Sequence, residues 1–164
     1  YRKPAFSPDS KWLAAVAARK RGIAILDVAT GNRIATLNGH NQTTNDIEVL
    51  RFSPNGGLLA SGGYDGKVIL WDTTTWRQKK ILSGHKAIVA SLSFSPDGKR
   101  LSSTAVENRC LLWDVETGRE VAKFPGVAAC FSPDGDAVAV GGQDVSDIRD
   151  VTPQVSRVTL YQLH

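Results

Sequence analysis

A histidine, a serine and an aspartate lie close together in the chain, as His40, Ser61 and Asp65. These are the side chains a hydrolase uses to turn a hydroxyl into a nucleophile. That chemistry needs an exposed hydroxyl on a strained turn, typically within Gly-x-Ser-x-Gly, and an oxyanion hole beside it. Ser61 sits instead in Leu59-Ala60-Ser61-Gly62, a run composed like the interior of a strand. A buried chain of mutually satisfied polar groups, which fixes one packing, suits that setting better than catalysis. The stretch Gly62-Gly63-Tyr64-Asp65-Gly66-Lys67 superficially resembles a phosphate-binding loop, but three residues rather than four separate Gly62 from Gly66-Lys67, and Val68 follows. Asp65-Gly66 reads as a hairpin turn. His40 and His85 are 45 residues apart and no Cys-x-x-Cys occurs, so neither a metal site nor a cofactor is expected, and the chain is not expected to be an enzyme. Asn41-Gln42-Thr43 is a formal glycan acceptor, meaningful only in a eukaryotic secretory route.

What must hold these residues is a sizeable folded core, since 41% of the 164 residues are hydrophobic. The net charge of +4 is spread over the length rather than gathered in a basic stripe interleaved with aromatics, so nucleic acid is not the expected partner. No run approaches the ~18 apolar residues of a membrane span, and membrane insertion is not expected. Cys110 and Cys130 are both flanked by strand-like residues and read as small buried hydrophobes in a reducing, cytoplasmic compartment. The absence of methionine leads us to expect a piece of a longer polypeptide.

The chain repeats itself. Phe-Ser-Pro recurs at Phe6, Phe52, Phe94 and Phe131, at intervals of 46, 42 and 37 residues. These bracket the ~40 to 45 residues of one propeller blade. About 20 residues after each Phe comes an apolar run, closed by an Asp in three cases: Leu26-Asp27, Trp71-Asp72 and Trp113-Asp114, with Tyr161-Gln162 in the fourth. Gly39-His40 and Gly84-His85 precede two of the units. Unit two shows four short runs of strand composition, Glu48 to Phe52, Leu58 to Ser61, Val68 to Trp71 and Lys79 to Leu82, separated by turn-forming Pro, Asn, Gly, Asp and Thr. Val68-Ile69-Leu70-Trp71 is apolar on both faces and must be covered on both.

Gly-His, Phe-Ser-Pro-(Asp/Asn)-Gly, Leu-Ala-Ser-Gly and Asp-Gly-x-(Val/Ile)-x-Leu-Trp-Asp, in that order, resemble the WD-repeat (Trp-Asp repeat) family over nearly the whole chain. The resemblance implies an all-β β-propeller of four consecutive four-stranded antiparallel blades, an incomplete part of a larger ring of about seven. Blade 1 is expected over 1–38, blade 2 over 39–83, blade 3 over 84–125 and blade 4 over 126–164, the last without its outer strand. Strands a to d run from the inside outwards, with the b-to-c and d-to-a loops on one face and the others opposite. Further blades or another subunit are expected to complete the ring, because open blade faces and edges aggregate.

The resemblance also implies a hydrogen-bonded tetrad of His, Ser, Asp and Trp. Unit two supplies His40, Ser61, Asp65 and Trp71. Unit three supplies His85, Ser103 and Trp113, with Glu107 in place of the Asp and Asn108 in place of the turn glycine. Units one and four lack it, having Ala15 and Val140 at the Ser position. Trp76, after the c-to-d turn, is expected near the surface, where its loss should cost well under ~1.5 kcal/mol.

Departures from the repeat mark binding loops. Arg19-Lys20-Arg21 fills the b-to-c turn of unit one, the d-to-a loop from His40 to Asp46 is three residues longer than its counterpart, and the b-to-c connection of unit four, Gln143 to Arg157, is about eleven longer. All fall on one expected face, giving Arg19, Lys20, Arg21, Asn41, Tyr64, Lys86, Asp147 and Arg149 as partner-contacting candidates. The expected function is a non-catalytic scaffold for protein partners, one with an acidic segment opposite the basic triplet. The alternative is a regulatory or sensor propeller fused to a catalytic domain such as a kinase or a nucleotide-binding switch.

Overall fold

The computed structural model describes residues 4–17, 22–40, 47–143 and 156–163. Among them the only regular elements are strands. The first sheet holds β1 (Ala5–Phe6), β2 (Trp12–Val16), β3 (Ile23–Asp27) and β4 (Arg33–Leu37). The second holds β5 (Ile47–Phe52), β6 (Leu58–Gly63), β7 (Lys67–Asp72) and β8 (Arg77–Ser83). The third holds β9 (Val89–Phe94), β10 (Arg100–Ala105), β11 (Arg109–Asp114) and β12 (Glu120–Pro125). The fourth has three strands, β13 (Ala128–Phe131), β14 (Ala137–Gln143) and β15 (Ser156–Gln162). Each is an antiparallel meander in chain order, the blade pattern of a propeller.

The repeated Phe-Ser-Pro-Asp-Gly is the turn from strand a to strand b. Ser53 Oγ donates to Asn55 Oδ1 at 2.7 Å and accepts from Leu58 N at 2.9 Å, while Asn55 Oδ1 accepts from Gly57 N. Ser7 with Asp9, Ser95 with Asp97 and Ser132 with Asp134 repeat the device. Gly56, Gly98 and Gly135 adopt positive φ at the tip, and in the first copy Ser10 takes the same conformation at φ 60°. The Asp of Trp-Asp serves the next turn: Asp72 Oδ1 accepts from Thr75 N and Oγ1, and Asp27 with Thr30 and Asp114 with Thr117 do likewise. Hydrogen bonds from these threonines hold the three carboxyls below their usual pKa.

The core lies between sheets. Ile69, Trp71 and Phe52 of the second sheet pack on Ala14, Ile23 and Ile25 of the first. Val68, Leu70 and Leu82 face Leu92, Phe94, Leu101 and Trp113 of the third. Strands are therefore buried on both faces, as their continuous apolar runs require. Among the described residues the first and fourth sheets each pack on a single neighbour, and equivalent positions there are more exposed. Phe6 is 60% exposed where Phe52 and Phe94 are 6% and 8%. Val158 and Leu160 are 72% and 61% exposed where Val68 and Leu70 are fully buried.

Two expectations need correcting. Cys110 is buried, which pushes its thiol up to about 12, but Cys130, paired with Ala139 on β13 at the inner edge of its sheet, is exposed. Trp76 is half-buried rather than superficial: a positive φ of 53° turns it back onto Trp12, ring against ring at 6.1 Å and 87°. Such an edge-to-face pair contributes about 0.5–1.5 kcal/mol beyond the area it buries, so Trp76→Ala is expected to cost more than the loss of a superficial tryptophan would.

Candidate functional site

Strand b of the second sheet places Ser61 opposite Ile69, and strand c brings Trp71 opposite Leu59. The loop before strand a carries Gly39-His40 against them. Trp71 Nε1 donates to Ser61 Oγ at 2.9 Å, Ser61 Oγ lies 2.8 Å from His40 Nε2, and His40 Nδ1 lies 3.0 Å from Asp65 Oδ1. An ionised Asp65 can only accept, so the bonds run in one direction, from Trp71 through Ser61 and His40 to Asp65. The third sheet repeats this chain with Trp113 to Ser103 at 2.7 Å, Ser103 to His85 at 2.8 Å and His85 to Glu107 at 3.1 Å.

The orientation of hydroxyl, imidazole and carboxylate is the one a hydrolase would use. Two facts remove the chemistry. Ser61 and Ser103 are 0% exposed, so no substrate carbonyl can approach. Each Oγ also accepts a tryptophan N–H, which engages a lone pair that attack would need. Among the described residues no cluster of three His, Cys, Asp or Glu could hold a metal ion.

The glycine of Gly-His has a steric cause that the sequence alone does not reveal. A Cβ at Gly39 would lie 2.7 Å from Trp71 Cη2, and one at Gly84 would lie 2.9 Å from Trp113 Cη2. The indole tip thus occupies the space a side chain would fill. In the third sheet the two carboxylate oxygens of Glu107 also accept from Lys86 N, at 3.3 and 3.2 Å. Asn108, where the second sheet has Gly66, adopts φ 57°, a conformation asparagine tolerates better than most residues.

His85 is neutral near pH 7, because burial lowers its pKa from the usual 6.5 while the Glu107 hydrogen bond only partly opposes this. Below 6.5 the unfolded chain therefore binds a proton that the folded chain refuses, and stability falls with pH. We expect the melting temperature to hold steady above pH 7.5 and decline from pH 6.5 downwards. In His85→Asn the decline should be shallower, as measured by calorimetry across that range; an equal slope in both proteins would contradict the assignment.

Turns and loops on the tetrad side join into one ridge. Gly66 packs so tightly on the next loop that a Cβ there would meet His85 O at 2.6 Å. Val106 N donates to Ile88 O and Gly126 N to Asn108 O, both at 3.1 Å. Turn 64–66, loop 85–88, turn 106–108 and loop 125–127 are thereby contiguous. Tyr64 stands on this ridge 48% exposed, beside an exposed Lys86. Val106 and Val127, which sequence reasoning passed over, are 59% and 44% exposed on the same ridge. Arg19, Lys20, Arg21, Asn41, Asp147 and Arg149 lie outside the described residues.

A family model described as "WD domain, G-beta repeat" matches residues 31–72 and 76–114. Each matched window runs from the outer strand of one sheet to strand c of the next. A fungal protein, "Nuclear distribution protein PAC1" of Coccidioides posadasii, is 37% identical over 83 residues, covering 51% of this chain and 17% of its own. "Set1 complex component swd1" of Schizosaccharomyces pombe is 42% identical over 43 residues, 26% of this chain and 11% of that one. The chain thus spans less than a fifth of the curated relatives it matches. Among solved structures, a chain of "Crystal Structure of Mitotic Checkpoint Complex" superposes with a TM-score of 0.77 at 18% identity, covering 98% of this chain and 47% of that one. That likeness establishes the fold.

Proposed function

Because the chain belongs to the WD-repeat family, whose propellers generally serve as protein-interaction scaffolds, we propose that it is a non-catalytic docking module. Its partner sits on the ridge formed by the b-to-c and d-to-a loops. The observation that carries this reading is the ridge itself, where Tyr64, Val106 and Val127 expose apolar surface beside Lys86 without a core role to account for it. Exposed aromatic and aliphatic side chains ringed by charge are the usual anatomy of a protein interface. The basic triplet Arg19-Lys20-Arg21, outside the described residues, is proposed as a further contact, with an acidic segment of the partner as its complement. Two relatives are named as a nuclear distribution protein and as a component of the Set1 complex, and membership of a multi-protein assembly is the corresponding proposal here.

A photo-crosslinking residue placed in the full-length protein at Tyr64 or Val106 should trap one discrete protein partner. The same residue at Lys11 or Thr74, in turns of the opposite face, should not. Crosslinks confined to the opposite face would overturn the proposal.

A further inference from the structure

The second sheet departs from the others in its turn from strand a to strand b. Asp9, Asp97 and Asp134 fill one position of that turn in the first, third and fourth sheets, and Asn55, followed by Gly56, fills it in the second. Each aspartate accepts, through one carboxylate oxygen, from the turn serine and from the backbone N–H two residues on. Asn55 Oδ1 accepts the same two bonds, from Ser53 Oγ at 2.7 Å and Gly57 N at 3.0 Å. The carbonyl oxygen, not the amide nitrogen, therefore builds the turn, and Asn55 is exposed to water.

Asparagine followed by glycine is the pair most prone to lose its amide, because no Cβ shields the glycine nitrogen. Gly56 N attacks Asn55 Cγ, the Cγ–Nδ2 bond breaks, and ammonia leaves with the proton of the Gly56 N–H. Water then opens the succinimide at either carbonyl, to aspartate or isoaspartate. The sum is asparagine plus water giving aspartate plus ammonia.

In the folded turn Gly56 is held away from this course at both ends. Its N–H donates to Ser53 O at 2.9 Å, and its carbonyl accepts from Thr73 Oγ1 at 2.7 Å. Among the described residues the second bond is peculiar to this sheet. Val28, Val115 and Leu163 stand where Thr73 does, since the N–H of each donates to the carbonyl of Lys11, Lys99 or Asp136 as Thr73 N donates to Gly57 O. None of the three has a hydroxyl. The sheet that carries the reactive pair is thus the one that clamps it.

We propose that Asn55 is a deamidation site gated by the fold, with Thr73 as its latch. Conversion requires the turn to open, so Thr73 Oγ1 must first release Gly56 O. Aspartate at position 55 closes into the native turn, because it presents the same acceptor oxygen as Asp9, Asp97 and Asp134. It adds a negative charge on the side opposite the tetrad loops, so the site is independent of the docking ridge. Isoaspartate lengthens the main chain by one carbon and cannot restore both bonds.

The test incubates the full-length protein in mildly alkaline buffer, folded or in urea, and follows the tryptic peptide 52–67 by mass spectrometry. Asn55 is the sole asparagine of that peptide. Conversion is expected to be about tenfold or more faster in urea, since it tracks the open population. Thr73→Val introduces the residue that Val28 and Val115 supply elsewhere, and should speed conversion of the folded protein about fivefold, the factor one net hydrogen bond contributes to an opening equilibrium. Thr75→Val removes a hydroxyl bond to Asp72 without touching Gly56, and should convert at the wild-type rate. Asn55→Asp should melt no lower than the wild type. The proposal is overturned if folded and unfolded wild type convert alike, if Thr73→Val converts no faster than Thr75→Val, or if Asn55→Asp melts below the wild type.

Discussion

Trp71→Ala is expected to lower the stability of the folded protein by about 3–5 kcal/mol, the range for truncating a large buried aromatic. The indole is 2% exposed, packs between the first and second sheets, and rests its tip over Gly39. Alanine would leave a void that glycine at 39 cannot fill. It would also take from Ser61 the N–H that Trp71 donates at 2.9 Å. Trp71→Phe keeps most of the volume and loses the donor, so it should cost distinctly less, about 1–2 kcal/mol. Urea unfolding of the full-length variants measures both. A Trp71→Ala protein that unfolds at the wild-type midpoint would sink the structural reading of the tetrad.

Gly66→Ala is expected to be nearly as damaging, at about 3 kcal/mol, for a different reason. Gly66 adopts φ 72°, which costs an L-residue about 1 kcal/mol. Its Cβ would in addition stand 2.6 Å from the carbonyl oxygen of His85, a backbone atom that cannot turn aside. Relief requires shifting the loop that positions the tetrad histidine of the next sheet, at an overpacking cost of about 1–3 kcal/mol. Gly31 supplies the control: it has φ 70° with nothing within 4 Å of a would-be Cβ. Gly31→Ala should therefore show the conformational cost alone, about 1 kcal/mol. Equal losses in the two variants would show that the contact with His85 is not tight in solution.

The residues that repeat were the legible ones. Phe-Ser-Pro spacing and the doubly apolar strand c led directly to stacked four-stranded sheets, because such strands can be covered only by neighbours on both sides. Turn chemistry was legible in outline through Pro, Gly and Asp, although the pairing of Asp27, Asp72 and Asp114 with threonines three residues on passed unremarked. Contacts between sheets were hidden, since they join residues that share no local pattern. Trp76 against Trp12 is one case, and Gly39 beneath the Trp71 ring is another. Cys130 and Cys110 occupy similar strand-like sequence, yet one faces the open inner wall and the other a packed interface; only the placement of the neighbouring sheet distinguishes them. Exposure at Val106 and Val127 was likewise invisible, because nothing in their sequence separates a core valine from one on a ridge.

The windows matched by the family model clarify how the array holds together. Residues 31–72 join β4 of the first sheet to β5, β6 and β7 of the second, and residues 76–114 join β8 to β9, β10 and β11. Each repeat of sequence thus stitches two sheets covalently. Lys80 reinforces the stitch by donating from Nζ to Glu116 O at 2.6 Å, and Thr104 Oγ1 does so by donating to Val127 O at 2.9 Å. A ridge running across several sheets can therefore present a fixed docking surface.

The most direct test of the docking account is the rate at which the crosslinked partner associates with a protein whose Arg19-Lys20-Arg21 is replaced by Ser-Gly-Ser. At low ionic strength the account predicts an on-rate reduced about tenfold with melting nearly unchanged, the gap closing as salt screens the field. An unaltered on-rate at low ionic strength, together with loss of binding on reversing the charge of Asp9 and Asp97 on the opposite face, would contradict it.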